Sequence, residues 1–319
     1  MSTIKAIIFD WGDTVMRDFP DCKGPMVNWP RVEMIKDIDN TLNILHKDFI
    51  CCLASNAGDS DAELMGKALV RVNLLQYFKY LFTSRELKAT KPDPAFYHEI
   101  LRRLELEPEQ CAVVGNDYQK DIVPARSMGM PTILFSQHPD PGLVPCADYL
   151  VDSMDKIVSV IEKIKNRIVD REGDILLDII RTRAKENEFE LIKLFPVAYS
   201  LVVAKHQGKY ILVFNRFRKQ WEVPGGRIEI GEGPSDCANR ELLEESGQAG
   251  KNIKFQGIMK LRAKLGDRIK YGVLYSVELI DMLPFQANEE ISEITLWDSI
   301  SDIGYINEID RSLLSSVSD

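Results

Sequence analysis

Along the first half of the chain, short unbroken apolar runs alternate with stretches whose apolar positions recur every three or four residues. The runs at 4–9, 49–54, 112–114 and 132–135 show no polar alternation, the pattern of strands buried on both faces of a parallel sheet. Helical periodicity lies between and beyond them, at 32–45, 62–72, 94–104 and 121–128. Strand and helix taking turns predict a doubly wound, Rossmann-like α/β domain over 1–165, with ligands bound at the carboxyl ends of its strands. The helical period continues over 154–167, breaks across the polar stretch 170–174 and resumes at 175–185, so 166–190 is expected to be a helical linker.

Beyond it, over 191–319, the pattern changes to longer β-type segments at 197–205, 209–215, 253–261 and 269–279. His206-Gln207-Gly208 is the expected hairpin turn between the first two. A single helix, 234–245, interrupts these strands. Pro234 suits its first turn, where no backbone donor is lost, and Gly247 suits its C-terminal cap. A last helix is expected over 306–315. No internal repeat links the halves, which read as two different α/β folds.

Composition narrows the function. A chain of 319 residues with 45% apolar content can build two cores. A net charge of −9 provides no general basic footprint for nucleic acid, so phosphates would be held locally, by metal, helix N-termini and a few basic side chains. The six cysteines (Cys22, Cys51, Cys52, Cys111, Cys146, Cys237) show neither CxxC pairs nor zinc spacing, which suits buried thiols in a reducing compartment. No apolar stretch approaches the roughly 18 residues of a membrane span, and strand-like sequence begins at residue 4. The expectation is a cytoplasmic protein without membrane contact.

The densest chemistry lies at 226–248. Gly226 is followed by Glu232, then by Arg240 and Glu241, then by Glu244, Glu245 and Gly247. Residues three and four apart are neighbours on a helix, so Glu241, Glu244 and Glu245 share one side of it. Carboxylate oxygens are the ligands Mg2+ prefers. Segment 226–248 resembles the Nudix box, Gly-x5-Glu-x7-Arg-Glu-(apolar)-x-Glu-Glu-x-Gly-(apolar), with Leu242 in the first apolar slot and Gln248 in place of the usual last aliphatic residue. Trp221-Glu222-Val223-Pro224-Gly225-Gly226 is similar to the strand and turn before it. The resemblance implies an α/β/α sandwich around a mixed sheet. It further implies Mg2+ (or Mn2+) held by Glu241 and Glu245, with Glu244 as further ligand or base and Arg240 pairing with Glu232. Gly225 and Gly226 would let metal or phosphate approach the backbone. The implied reaction is attack of water on a diphosphate within a nucleotide-type small molecule. Arg216, Arg218 and Lys219 are further phosphate candidates, Trp221 a stacking one, and Glu289, Glu290 and Glu293 candidate late carboxylates.

Four elements of the first half, in order, resemble the haloacid dehalogenase (HAD) superfamily. Ile7-Ile8-Phe9-Asp10-Trp11-Gly12-Asp13-Thr14 is an apolar strand ending in an aspartate; Ser55-Asn56 closes a second strand; Lys91 opens Lys91-Pro92-Asp93; and Gly115-Asn116-Asp117 leads to Asp121. By resemblance Asp10 is the phosphoryl-accepting nucleophile, Ser55 and Asn56 bind phosphate, and Lys91 neutralises it. Asp10, Asn116 and Asp121 would hold Mg2+. The chain departs from the family at two places. Gly12 stands where a general acid is usual, with Asp13 one residue further on, and Asn116 stands where an aspartate is usual. Asp13 is then either the acid or a turn residue bonded to its own backbone. Only about 16–29 is left as an insertion, which implies a minimal cap and a site either open or covered by the neighbouring domain or another subunit. Two readings remain open for this half: a phosphatase acting on the phosphomonoester product, or a degenerate ligand-sensing or dimerising module, which admits a homodimer.

Overall fold

The computed structural model describes residues 4–56, 58–137, 144, 146–182, 187–264 and 268–317. The chain divides into two compact units, Met1–Asn166 and Arg167–Asp319.

Six strands form the sheet of the first unit: β1 (Ala6–Phe9), β2 (Ile50–Ser55), β3 (Tyr80–Thr83), β4 (Cys111–Gly115), β5 (Thr132–Phe135) and β6 (Tyr149–Val151). Their order is β3-β2-β1-β4-β5-β6, and every pairing is parallel. The order reverses at β1, between β2 and β4, and that switch point opens a crevice at the carboxyl ends. Helices α1 (Ile38–Leu45), α2 (Ala62–Arg71), α3 (Ser84–Leu87), α4 (Ala95–Leu104), α5 (Val123–Ser127) and α6 (Lys156–Lys165) connect or follow the strands. Ala6 and Ile8 of β1 pack with α4 through Phe96, Tyr97 and Ile100, so the central strand is fully buried. Strands β3 and β6 are not among the expected strands; each carries an exposed residue, Tyr80 and Leu150, so neither is buried along its whole length. Helix α1 begins at Ile38 rather than at 32, because Asp37 takes a left-handed conformation (φ 65°) that breaks the helical path.

The second unit comprises β7 (Ile168–Val169), β8 (Ile175–Ile180), α7 (Glu188–Lys193), β9 (Val197–His206), β10 (Lys209–Asn215), β11 (Gln220–Glu222), β12 (Gly225–Arg227), α8 (Pro234–Ser246), β13 (Lys254–Arg262), β14 (Ile269–Leu279), β15 (Ile291–Trp297) and α9 (Glu308–Ser316). Its sheet runs β11-β10-β9-β14-β13-β8-β7, with β12 on β9 and β15 on β10. It is mixed, since β14 and β9 are parallel whereas β13 and β14 are antiparallel. Alternate residues feed opposite faces. Val202, Ile211 and Val273 pack with Ala238 and Leu242 of α8, while Val203, Leu212 and Leu274 pack with Leu313 and Leu314 of α9. A helix on each face makes the α/β/α sandwich.

Among the described residues the linker expected to be helical over 166–190 is mostly strand, with helix only from Glu188 in α7, and its residues 183–186 lie outside the described ones. Residues 168–169 and 175–180 are strands, and β8 pairs antiparallel with β13. A short apolar run does not distinguish strand from helix by itself; the free backbone edge of β13 decides. The intervening 170–174 is a turn in which the Asp170 carboxylate accepts from Gly173 and Asp174 N–H, at 2.8 and 2.9 Å. The hairpin at 206–208 forms as expected, with both Gln207 and Gly208 at positive φ.

Candidate active sites

The seven residues singled out in the first unit (Asp10, Asp13, Ser55, Asn56, Lys91, Asn116 and Asp121) line one cavity of about 410 Å3 at the carboxyl ends of β1, β2 and β4. Lys91 is its centre. Its ammonium donates to Asp10 Oδ1 at 2.5 Å, to Asp121 Oδ1 at 2.6 Å and to the Ala54 carbonyl at 3.2 Å. Asn56 holds the Lys91 backbone from both sides, accepting its N–H at 2.8 Å and donating to its carbonyl at 2.7 Å. Burial opposes the Lys91 charge, but Asp10, Tyr97 and Asp121 outweigh it, so the amine stays above the ordinary lysine range. Burial and the charge of Asp10 push the Asp121 carboxyl up, against the pull of Lys91. Gly115 is required here, because a Cβ would collide with the Asp121 side chain.

The two departures take definite form. Asn116 accepts a hydrogen bond from Thr14 at 3.3 Å. Asp13 adopts a left-handed conformation (φ 52°), and its Oδ1 accepts the Asp18 N–H at 3.0 Å. Its carboxylate is thus engaged as a turn residue, although it borders the cavity. The insertion supplies part of the wall through Asp18, Gly24, Met26 and Trp29, so the segment too short for a separate cap still shapes the site. It is ordered by Trp29 Nε1 donating to the Gly24 carbonyl (2.9 Å) and by Arg71 donating to the Val27 and Trp29 carbonyls. Neither the spacing nor the composition of this segment marks Asp18.

In the second unit the chemistry gathers where α8 crosses β12. The Arg240 guanidinium makes a double contact with Glu232 (2.8 and 3.1 Å) and reaches Glu241 at 2.7 Å, Glu244 at 3.0 Å and the Arg227 carbonyl at 2.9 Å. Hydrogen bonds from Arg240 and from the Glu229 N–H pull Glu232 down to about 2. Glu245 behaves oppositely: burial first, then the charges of Glu241, Glu290 and Glu222, push it up to about 8 against the pull of the Gly225 N–H it accepts at 3.0 Å. A Cβ on Gly226 would collide with the Glu241 carboxylate, and one on Gly225 with the Ser200 carbonyl and Leu201. The groups that need those glycines bare are therefore the protein's own.

Glu222 is a participant the sequence does not mark; it is buried, paired with Arg218 at 2.7 Å, and recognisable only from its tertiary neighbours. Of the three late carboxylates, Glu290 acts on Glu245 and accepts from Asn215 at 2.8 Å. Trp221 is a core residue, buried, with its indole N–H donated to the Ile303 carbonyl at 2.6 Å. Gln248 is fully buried yet satisfied, its amide clamped on Leu283 N–H (2.8 Å) and the Leu283 and Ser246 carbonyls (2.9 Å each), which explains how it fills an aliphatic slot.

Residues 194–316 match the family model of the NUDIX domain, and residues 13–135 match that of the haloacid dehalogenase-like hydrolases. The chain carries one domain of each family. Over 99 residues it is 31% identical to a glyceraldehyde 3-phosphate phosphatase of Methanocaldococcus jannaschii, covering 30% of this chain and 43% of that protein. Over 63 residues it is 38% identical to haloacid dehalogenase-like hydrolase domain-containing protein 3 of Bos taurus, covering 20% and 25%. The chain thus spans less than half the length of these curated relatives. Among solved structures, a Bacillus subtilis pyrophosphohydrolase (E68A mutant) aligns at 18% identity and a TM-score of 0.38, over 47% of this chain and 92% of that one.

Both oxygen-rich sets suit a hard divalent ion. Among the described residues no three Asp, Glu, His or Cys side chains form a ready-made metal cage. Instead Lys91 bridges Asp10 and Asp121, and Arg240 gathers Glu241 and Glu244. The donor chemistry of the NUDIX set still fits: Glu245 is buried beside the carboxylates of Glu241, Glu290 and Glu222, whose repulsion a divalent ion would offset. Among the described residues no helix is long and apolar enough to cross a membrane.

Proposed function

We propose that the chain is a hydrolase of phosphorus-containing bonds whose NUDIX domain cleaves a diphosphate linkage in a nucleotide derivative. The observation that carries this reading is Glu245, buried against the Gly225 N–H and raised by three neighbouring carboxylates. Bound to Glu241, Glu245 and Glu244, Mg2+ (or Mn2+) would lower the pKa of water and screen phosphate charge. The protein's own contribution is positioning. Arg240 fixes the rotamers of Glu241 and Glu244 while Glu232 fixes Arg240, and Gly226 leaves Glu241 room to turn toward β12.

The HAD domain acts second in this reading, taking a phosphoryl group from a phosphomonoester onto Asp10. Lys91 pairs with Asp10 at the cavity, which Ser55 and Asn56 also line. The printed name of the archaeal relatives, glyceraldehyde 3-phosphate phosphatase, supports a phosphomonoester as substrate class. The engagement of Asp13 in a turn favours the alternative, a ligand-sensing or dimerising module.

Chromatographic product analysis decides among these. Nucleoside triphosphates, nucleotide sugars, dinucleotides and phosphomonoesters would be incubated with the full chain and Mg2+. The expected outcome is diphosphate cleavage lost in Glu245→Gln, followed by free phosphate lost in Asp10→Asn. Cleavage unchanged in Glu245→Gln would sink the NUDIX reading. Monophosphates that persist across the panel would favour the sensing module.

A further inference from the structure

Hydrolysis of an unactivated phosphomonoester needs a proton for the departing alkoxide, and position 12, where relatives carry the donor, is glycine. The structure shows what fills that place. A Cβ built on Gly12 has two atoms within 4 Å, outside its immediate neighbours: Cβ and Oδ2 of Asp18, each at 3.9 Å. Asp18 lines the same cavity as Asp10, Ser55 and Lys91. Resting on the phosphatase reading of the first unit, we propose that Asp18 is its general acid and base, delivered from the insertion loop instead of from the strand end.

The loop is built to hold it there. Asp18 N–H donates to Asp13 Oδ1 at 3.0 Å, and Asp13 N–H donates to the Met16 carbonyl at 2.7 Å. Arg17 N–H is tied to the Glu33 carbonyl at 2.9 Å and Ile35 N–H to the Val15 carbonyl at 2.9 Å. Asp13 is therefore a positioning residue, whose left-handed conformation turns the chain and whose carboxylate anchors the next one. Among the described residues no hydrogen bond or ion pair engages the Asp18 carboxyl itself, which leaves it available for proton transfer. Lys91 stays committed to Asp10 and Asp121.

The step balances as follows. An Asp10 carboxylate oxygen attacks phosphorus, the bond from phosphorus to the ester oxygen breaks with its electron pair on that oxygen, and the Asp18 carboxyl gives it a proton. Water then attacks the phosphorus of the aspartyl phosphate and yields a proton to the Asp18 carboxylate, while the bond from phosphorus to the Asp10 oxygen breaks with its electron pair returning to the Asp10 carboxylate. Inorganic phosphate leaves, and both aspartates return to their starting states.

The test is the leaving-group dependence of the full-length protein with Mg2+, using p-nitrophenyl phosphate and glycerol 2-phosphate. A good leaving group departs unprotonated, so Asp18→Asn should lower kcat on it less than about tenfold. On the alkyl ester the same substitution should cost about 10²–10⁴-fold, the usual worth of a general acid. Gly12→Asp in an Asp18→Ala background should restore much of the alkyl rate, since a Cβ at position 12 meets only ordinary contacts, both with the Asp18 side chain. Asp10→Asn should abolish both activities. Equal loss on both esters in Asp18→Asn, an unchanged alkyl rate, or a wild-type protein active on the aryl ester alone would overturn the role of Asp18. Activity that survives Asp10→Asn, or no activity on either ester, would instead overturn the phosphatase reading beneath it.

Discussion

Two adjacent glycines show how differently one atom can act. At Gly226 an added Cβ meets the end of a flexible carboxylate, at Gly225 it meets the backbone of β9. Gly226→Ala should therefore spare the fold and displace Glu241, lowering Mg2+-dependent cleavage by at least about tenfold with little change in the thermal midpoint. Gly225→Ala should destabilise by about 1–3 kcal/mol, the usual cost of overpacking, measured by urea titration. Lys91 presents the other kind of sensitivity. Lys91→Met leaves Asp10 and buried Asp121 without their shared cation, and breaking a buried pair costs about 3–5 kcal/mol. Asp10, Lys91, Arg240 and the four glutamates are marked in the sequence by the two family resemblances. The sequence does not show that the groups approaching Gly225 and Gly226 are Ser200 and Glu241, nor that Asp13 serves Asp18.

Elements form where local preference and tertiary partners agree. Helix α8 is specified at both ends, by Pro234 and by Gly247 in the left-handed region (φ 71°), and its observed span, Pro234–Ser246, passes the expected one by a single residue. Strand β8 lacks such signals, and its helix-like period is overridden by pairing with β13. Helix α9 brings a pH dependence into the second unit. The Asp310 carboxyl accepts the Val223 N–H at 3.1 Å, and burial, then Glu222, push it up to about 7 from an ordinary 3.8. A carboxyl with a raised folded pKa favours the fold while protonated. Its contribution is complete below about pH 4 and is lost as pH rises through 7. Asp310→Asn keeps an oxygen for Val223 and removes the titration. It should raise the thermal midpoint at pH 8 and leave it nearly unchanged at pH 4, as followed by circular dichroism across pH.

At the scale of the molecule, the second unit begins at Arg167, because β7 and β8 complete the sheet edge along β13. A fragment 167–319 should unfold cooperatively, whereas 191–319 should expose the β13 edge and aggregate or melt at lower temperature; light scattering and calorimetry on the two fragments check this. The sequence by itself determined that there are two α/β units of different kinds, because strand and helix periods are local, and it marked the candidate site residues, because short motifs keep their spacing in any fold. Only the tertiary structure decided the strand identity of 175–180, since a strand edge must find hydrogen-bond partners far along the chain. Only it brought Glu222 and Glu290 to Glu245 and Asp18 to Gly12, since burial and charge proximity arise from packing between distant segments and leave no periodic trace.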